Sequence, residues 1–303
     1  MSNILVIGDI YIETQYFVEE IPSINEFSVA ENVTTITVSK TINSARILTK
    51  LENNVDFLAK VGIDDAYLKV LSDFKHYKIN IDLLSQTEQD KTGQLVVITD
   101  ESGRSSISIY FGANRTISVS EIEGLANDLK KYQMIYAATH LPLDCLYKLA
   151  EIAKHQNVPL FLDFPNQQKS VELNKIADVD FISPNRQEAE LIFNEEIRSI
   201  DDAFRILSLF RKFCKGTIIL TLDIEGCAVF EKGARDPLYI QTEPVQAVDA
   251  TGAGDIFKAV FVSEYLRTKD VVQSVQKAQQ VATRSVSIKG IDNTIETLDL
   301  SLK

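Results

Sequence analysis

The sequence of this 303-residue chain predicts an α/β fold, a mostly parallel sheet with helices on both faces plus a small β-sheet lid. Three observations predict it. Short apolar runs at 4–8, 55–60, 134–138, 160–163, 180–183 and 217–222 read as strands. Longer segments at 43–51, 66–74, 121–131, 143–155, 201–213, 254–267 and 271–287 carry apolar residues at helical spacing, and this alternation is that of a covered parallel sheet. Two regions, about 11–38 and 92–111, break the rhythm: β-branched and polar residues alternate there with no helix between.

From the N-terminus, 4–8 is a first strand ending in a turn at Gly8. Region 11–38 follows with a period of two, which suits extended strands exposed on one face. An amphipathic helix, a strand and a second helix come next at 43–51, 55–60 and 66–74. Region 92–111 repeats the period of two and completes the lid. Helices at 121–131, 143–155 and 201–213 then interleave with four strands, and two helical segments, 254–267 and 271–287, close the pattern. With no repeat, low-complexity tract or linker, residues 1–303 read as a single domain with the lid segments inserted. Ligands of such sheets sit beyond the carboxyl ends of the strands.

Composition bounds the function. The net charge of −12 disfavours nucleic acid and anionic membranes, which require clustered Lys and Arg, but leaves room for an anionic substrate in a local basic pocket. No apolar run spans a membrane and the N-terminus lacks the layout of a signal peptide, so a cytoplasmic location is expected. Three cysteines at irregular spacing argue against a disulfide framework or a zinc cluster. No His/Cys/Asp set has metal-ligand spacing, so a metal is expected to arrive with a nucleotide.

The most informative stretch runs from Ala247 to Phe257. Gly252-Ala253-Gly254 precedes a helical pattern set by Ile256, Phe257, Val260, Phe261 and Tyr265, and Asp255 is the first carboxylate past the glycines. A helix N-terminus leaves backbone N–H groups unpaired and adds partial positive charge, and small residues let a phosphate approach them. Phosphoryl transfer needs such a cradle, and a base to orient the attacking hydroxyl. The bland reading is that Asp255 only suits the helix dipole.

The longer string Asp249-x-Thr251-Gly252-Ala253-Gly254-Asp255 resembles the signature of the ribokinase-like carbohydrate kinases, the phosphofructokinase-B type family. Further segments match in order: 4–8, Asn43, Val61-Gly62-x-Asp64, Thr92-Gly93, Gly112-Ala113-Asn114, Ser183-Pro184-Asn185-x-x-Glu188, Thr221-Leu222-x-x-x-Gly226 and Lys289-Gly290. The resemblance covers nearly the whole chain. It implies a three-layer Rossmann-like fold, ATP and magnesium as cofactors, a sugar beneath the lid and, as in many members, a homodimer paired through the lid.

Carried over position by position, it implies Asp255 as base and Gly252, Ala253 and Gly254 as anion hole. Asn185 and Glu188 would act near the phosphates, Glu188 meeting magnesium through water, while Thr221, Asp223, Gly226, Thr251 and Gln279 would border the nucleotide. The backbone around Asp249 and Thr251 would hold potassium in activating members. Tyr11, Glu13, Lys40, Asn43 and His140 would face the sugar. Ordinary alternatives stand beside these: Asn185 and Glu188 fit a helix cap, Gln279 fits a solvent-facing helix position, and Lys40 and Arg46 fit an exposed helix start.

The chain also departs from the family pattern. Asp223 stands where glycine is usual, which adds a carboxylate near a triphosphate unless a basic residue offsets it. Glu13 replaces the usual aspartate. Val38, Ser39 and Thr41 replace the glycines of Gly-Gly-x-Gly-x-Asn, where paired glycines form the hinge of the lid, so the loop must change or block part of the pocket.

The function expected is an ATP-dependent kinase of a ribose- or fructose-like sugar. Lys40 and Arg46 keep a phosphorylated hexose or heptose open, and the departures keep open a catalytically reduced sugar- or nucleotide-binding relative. A dinucleotide-dependent dehydrogenase fits poorly, because the glycine turn lies near the C-terminus rather than after the first strand.

Overall fold

Two sheets carry the strands of the chain, whose structure, a computed structural model, describes residues 1–138, 141–164, 171–243 and 245–300. In chain order the elements begin with β1 (Asn3–Ile7), β2 (Tyr11–Val18), β3 (Ala30–Val38), α1 (Lys40–Lys50), β4 (Asn54–Gly62), α2 (Ala66–His76), β5 (Leu84–Thr87), β6 (Gly93–Asp100) and β7 (Ser105–Tyr110). Then come α3 (Val119–Gly124), β8 (Met134–Ala138), α4 (Leu143–Gln156), β9 (Leu160–Asp163), β10 (Phe181–Ser183), α5 (Arg186–Phe193) and α6 (Ile200–Arg211). The chain ends with β11 (Thr217–Thr221), β12 (Gly226–Phe230), β13 (Leu238–Gln241), α7 (Ala253–Thr268), α8 (Val271–Ser285) and α9 (Ile291–Thr297).

The large sheet has the order β13-β12-β11-β10-β9-β8-β1-β4-β5. Its strands run parallel from β5 to β11, and β12 and β13 add an antiparallel edge that the sequence reading did not contain. Successive residues enter opposite cores and all are buried: Ile4 and Val6 enter one core cluster and Leu5 and Ile7 the other, so both faces are covered. That is the expected three-layer α/β arrangement.

The small sheet has the order β3-β2-β6-β7, and β2 runs parallel to β6 with Tyr11 opposite Gly93. Two of the quoted motifs meet at its root. The Asp64 carboxylate accepts hydrogen bonds from Thr92 N and Thr92 Oγ1, both at 2.8 Å, and Asn114 pairs with Ile10 N and O at 2.9 Å each.

Two helix boundaries differ from expectation for local reasons. Helix α1 starts at Lys40 rather than 43 because Ser39 Oγ accepts from Ile42 N at 3.0 Å and caps it. The segment 121–131 divides: Ser118 and Glu121 form a capping box that starts α3 early, and Gly124 ends it before a short 3₁₀ turn at Leu129–Lys131. Helix α7 is buried from Asp255 to Val262, packed against α1 and α8. Among the described residues, no helix is long and apolar enough to cross a membrane.

Candidate active site

A cavity of about 950 Å³ opens between the small sheet and the N-terminus of α7. From the lid and α1 it receives Tyr11, Leu95, Ile109, Lys40 and Asn43. From the region of β11–β13 and α8 it receives Thr221, Asp223, Gly226 and Gln279, and Gly252 through Asp255 line it as well. Residues predicted for both the sugar and the nucleotide therefore share one space.

The carboxylate of Asp255 is buried, and Asn43 Nδ2 donates to its Oδ2 at 2.9 Å across 212 positions of sequence. Burial pushes the Asp255 carboxyl up to about 6; the Asn43 hydrogen bond opposes this, Asp163 adds to it, and the Lys258 and Lys40 ammonium groups oppose it. A carboxylate so perturbed, in a cavity, is suited to accept a proton near neutral pH.

The turn before Asp255 has two uses for glycine. Gly252 adopts φ +78°, and a Cβ there would also lie 2.3 Å from Ile291 Cδ1. Around Gly254 a Cβ would meet nothing within 4 Å, because that position faces the open cavity. Ala253 N–H turns back to Ala250 O at 3.2 Å, so the N–H groups at the start of α7 that helix geometry leaves for an anion belong chiefly to its neighbours Gly254 and Asp255. Both oxygens of Asp249 are engaged by backbone, Oδ1 by Thr251 N and Oδ2 by Gly290 N, each at 2.9 Å. Asp249 thus ties this turn to the start of α9.

Asn185 and Glu188 form the capping box of α5, with Glu188 Oε2 accepting from Asn185 N and Asn185 Oδ1 accepting from Glu188 N, both at 2.8 Å. Asn185 still lines the cavity, whereas Glu188 lies just beneath, its Oε1 3.5 Å from Lys40 Nζ. Among the described residues no group of three or more His, Cys, Asp or Glu converges on a metal position. Glu188 fits magnesium only through an intervening water, since one oxygen is held by backbone and the other faces a lysine.

Among the residues expected to border a nucleotide, Asp223 has φ +52°, a left-handed conformation that explains why glycine suits this position. Arg186 offsets its charge: Nε lies 3.9 Å from Asp223 Oδ2 and the guanidinium also pairs with Glu225. Gln279 is partly buried in the cavity wall, where its Nε2 donates to Thr242 Oγ1 at 2.8 Å.

On the sugar side, the three lost glycines cause no strain. Ser39 is extended (φ −170°, ψ 167°), and no residue from 38 to 41 has positive φ. Thr41 finds its space at Gly8, where a Cβ would lie 2.1 Å from Thr41 Oγ1. Tyr11 donates its hydroxyl to Asp9 Oδ2 at 3.2 Å. Glu13 does not line the cavity; burial and the neighbouring Asp292 carboxylate push its carboxyl up. Arg46 is neither exposed nor in the cavity: it is 5% exposed, stacked 4.1 Å over the Tyr77 ring and paired with Asp292. His140 lies outside the described residues.

Four residues escaped the sequence reading: Ser44, Tyr136, Asp163 and Lys258. Lys258 Nζ pairs with Asp163 Oδ1, Tyr136 Oη donates to Asp163 Oδ2 at 3.2 Å, and Ser44 Oγ donates to Tyr136 Oη at 3.0 Å. The available signal was a charge in the wrong place: Lys258 interrupts the apolar run of α7, and Asp163 ends the apolar run of β9.

Comparison with known proteins bears on the family and the fold. The model of the pfkB family carbohydrate kinases matches residues 1–298. Ribokinase of Haemophilus influenzae is 28% identical over 265 residues, covering 87% of this chain and 85% of its own. Deoxyribokinase of Salmonella typhi is 24% identical over 297 residues, 98% of this chain and 96% of its own. The structure of Arabidopsis thaliana ribokinase complexed with ribose and ATP superposes with a TM-score of 0.86 at 22% identity, covering 100% of this chain and 99% of that one.

Proposed function

The chain belongs to the pfkB family of carbohydrate kinases, phosphotransferases with an alcohol group as acceptor, and on that premise we propose that it transfers the γ-phosphate of ATP to a hydroxyl of a small sugar of the ribose or deoxyribose type. The observation that carries this is the Asp255 carboxylate, held by Asn43 beside the Gly252–Gly254 turn on one shared cavity.

In this reading Asp255 accepts the proton of the sugar hydroxyl as it attacks. The N–H groups at the start of α7 stabilise charge on the transferring group, where preorganised dipoles act most strongly. Asn43 keeps the base oriented. Thr221, Gly226, Thr251 and Gln279 border the nucleotide, and Asn185 its phosphates. Magnesium, when bound, would neutralise charge on the phosphates; Glu188 would meet it through water, and the Lys40 ammonium would face the phosphate oxygens rather than the ion. Potassium, were it to activate, would be held by the backbone near Asp249 and Thr251.

Tyr11, Leu95 and Ile109 give the sugar end an apolar wall. Lys40 is left as the basic side chain of the Lys40/Arg46 pair that reaches the cavity, so a neutral sugar is favoured over a phosphorylated one. A second proposal concerns assembly. Val33, Tyr16, Val96 and Tyr110 lie on the face of the small sheet turned away from Tyr11 and Leu95, each at least 37% exposed. That face would pair two copies into a homodimer.

The test is ADP release from magnesium ATP over free pentoses, hexoses and their monophosphates. Turnover on a neutral sugar supports the reading, and turnover confined to sugar phosphates would replace the substrate class. ATP binding with no turnover on any would leave the chain a binding relative.

A further inference from the structure

A chain of buried polar contacts at the cavity, joined through the backbone of α1 and of α7, links the two ends of the Asp255–Lys258 turn. Asp255 of α7 accepts from Asn43 of α1; the next residue, Ser44, donates to Tyr136 of β8; Tyr136 donates to Asp163 of β9; and Asp163 pairs with Lys258, one helical turn after Asp255. Every member is buried, with exposures from 0% at Ser44 and Tyr136 to 7% at Asn43 and Asp255. Asp163 and Lys258 also line the cavity, so they are not remote packing.

We infer that Lys258 and Asp163 are positioning residues for the base: they complete this chain, lock α7 to α1 through β8 and β9, and set by their opposed charges how readily Asp255 holds a proton. The inference rests on the assignment of Asp255 as base.

The physical argument starts from cost. A lone buried ammonium or carboxylate is expensive, so a paired one at the edge of a ligand cavity has to be held by its neighbours. Lys258 has several: Asp163 in direct contact, with Glu188 of α5 and Asp255 close enough to favour its charged form, which outweighs the effect of burial. The groups facing Asp255 are Lys40 and Asn43 from α1, Tyr136 from β8, Asp163 from β9 and Lys258 from its own helix. Glu188 bears on it through the lysines. The two partners of the pair act on Asp255 with opposite sign, because Asp163 repels its negative charge and Lys258 attracts it. The Tyr136 hydroxyl stays protonated, its acidity suppressed first by burial and then by Asp163 and Asp255, so it serves as donor to Asp163.

The test is a carboxyl titration of the ligand-free full-length protein, followed by NMR with ¹³C-labelled aspartate, the Asp255 signal being the one lost in Asp255→Asn. Lys258→Met should raise the Asp255 midpoint by about one pH unit or more, the usual size for losing a nearby opposite charge. Asp163→Asn should lower it by a comparable amount, and the double variant should return it close to the wild-type value. Lys258→Arg should leave it nearly unmoved. The low-pH limb of ADP formation with ribose should move with these midpoints. Midpoints that stay fixed in both single variants, or move in the same direction, overturn the inference, since mere packing would alter stability but not shift a titration in opposite senses. Should one single variant fail to fold, the other and the charge-free double variant decide. The titration needs no sugar: midpoints that answer to Lys258 and Asp163 in a protein without turnover would remove the functional reading, and with it the word base, and keep only the coupling of the pair to the Asp255 carboxyl. Turnover with unmoved midpoints would do the reverse.

Discussion

Thr41 rests on the bare Cα of Gly8, so close that a Cβ at Gly8 would lie 2.1 Å from Thr41 Oγ1 and 2.5 Å from Thr41 Cβ. A side chain has been gained on α1 where the family pattern has glycine, and the turn after β1 makes room for it. Gly8→Ala should therefore destabilise the fold by roughly 1–3 kcal/mol, the range for overpacking a core. In a Thr41→Gly background the same substitution should cost less than half as much. Chemical denaturation of the four proteins measures the coupling.

Burying the Asp255 carboxylate carries a stability cost. Its carboxyl is raised from 3.8 to about 6 in the fold, so between these values the folded state binds more protons than the unfolded one. Stability should fall as pH rises through that window, and the full cost remains above about pH 6. A shift of this size corresponds to on the order of 3 kcal/mol. Asp255→Asn should abolish turnover and yet raise the melting temperature at pH 8, with the gain shrinking as pH drops toward 4. Thermal melts of both proteins across that range check it.

Asp223 combines a left-handed backbone with a carboxylate on the nucleotide side of the cavity, offset by Arg186. Asp223→Gly should relieve the backbone and remove the repulsion, lowering KM for ATP a few-fold with little change in kcat. Arg186→Ala should raise KM for ATP, because it leaves Asp223 and Glu225 without their cation. Steady-state kinetics with ATP varied distinguish the two.

The outward face of the small sheet should be covered in solution. Sedimentation of the full chain should give a dimer, and Val96→Lys with Tyr110→Lys should shift it to monomer by placing charge on the apolar face. A wild-type monomer at micromolar concentration would contradict the assembly proposed.

What the sequence made legible follows from where its signals are local. The unbroken apolar run at Ile4–Ile7 and the helical spacing after Gly254 are properties of neighbouring residues, and the strands at Met134–Ala138 and Leu160–Asp163 fall where expected. The edge strands β12 and β13 were missed because β12 begins on Gly226 itself and β13 is only half-buried, leaving little pattern to read. At the site, Asp255 and Asn43 were named from motifs, and their hydrogen bond spans 212 positions. Glu13 and Arg46 were placed toward the sugar, but Asp292, brought in by α9, holds one and faces the other outside the cavity wall. Lys258 and Asp163 belong to elements far apart in sequence, so their pairing became visible only with the sheet order that sets β9 beneath α7.

The most direct test of the central claim is sugar-dependent ADP release from magnesium ATP by wild type and Asp255→Ala side by side, ribose and deoxyribose first. The account predicts turnover by the wild type on a small neutral sugar and a loss of roughly 10²–10⁴-fold in the variant, the usual weight of a positioned general base. Wild-type turnover retained in Asp255→Ala would contradict it.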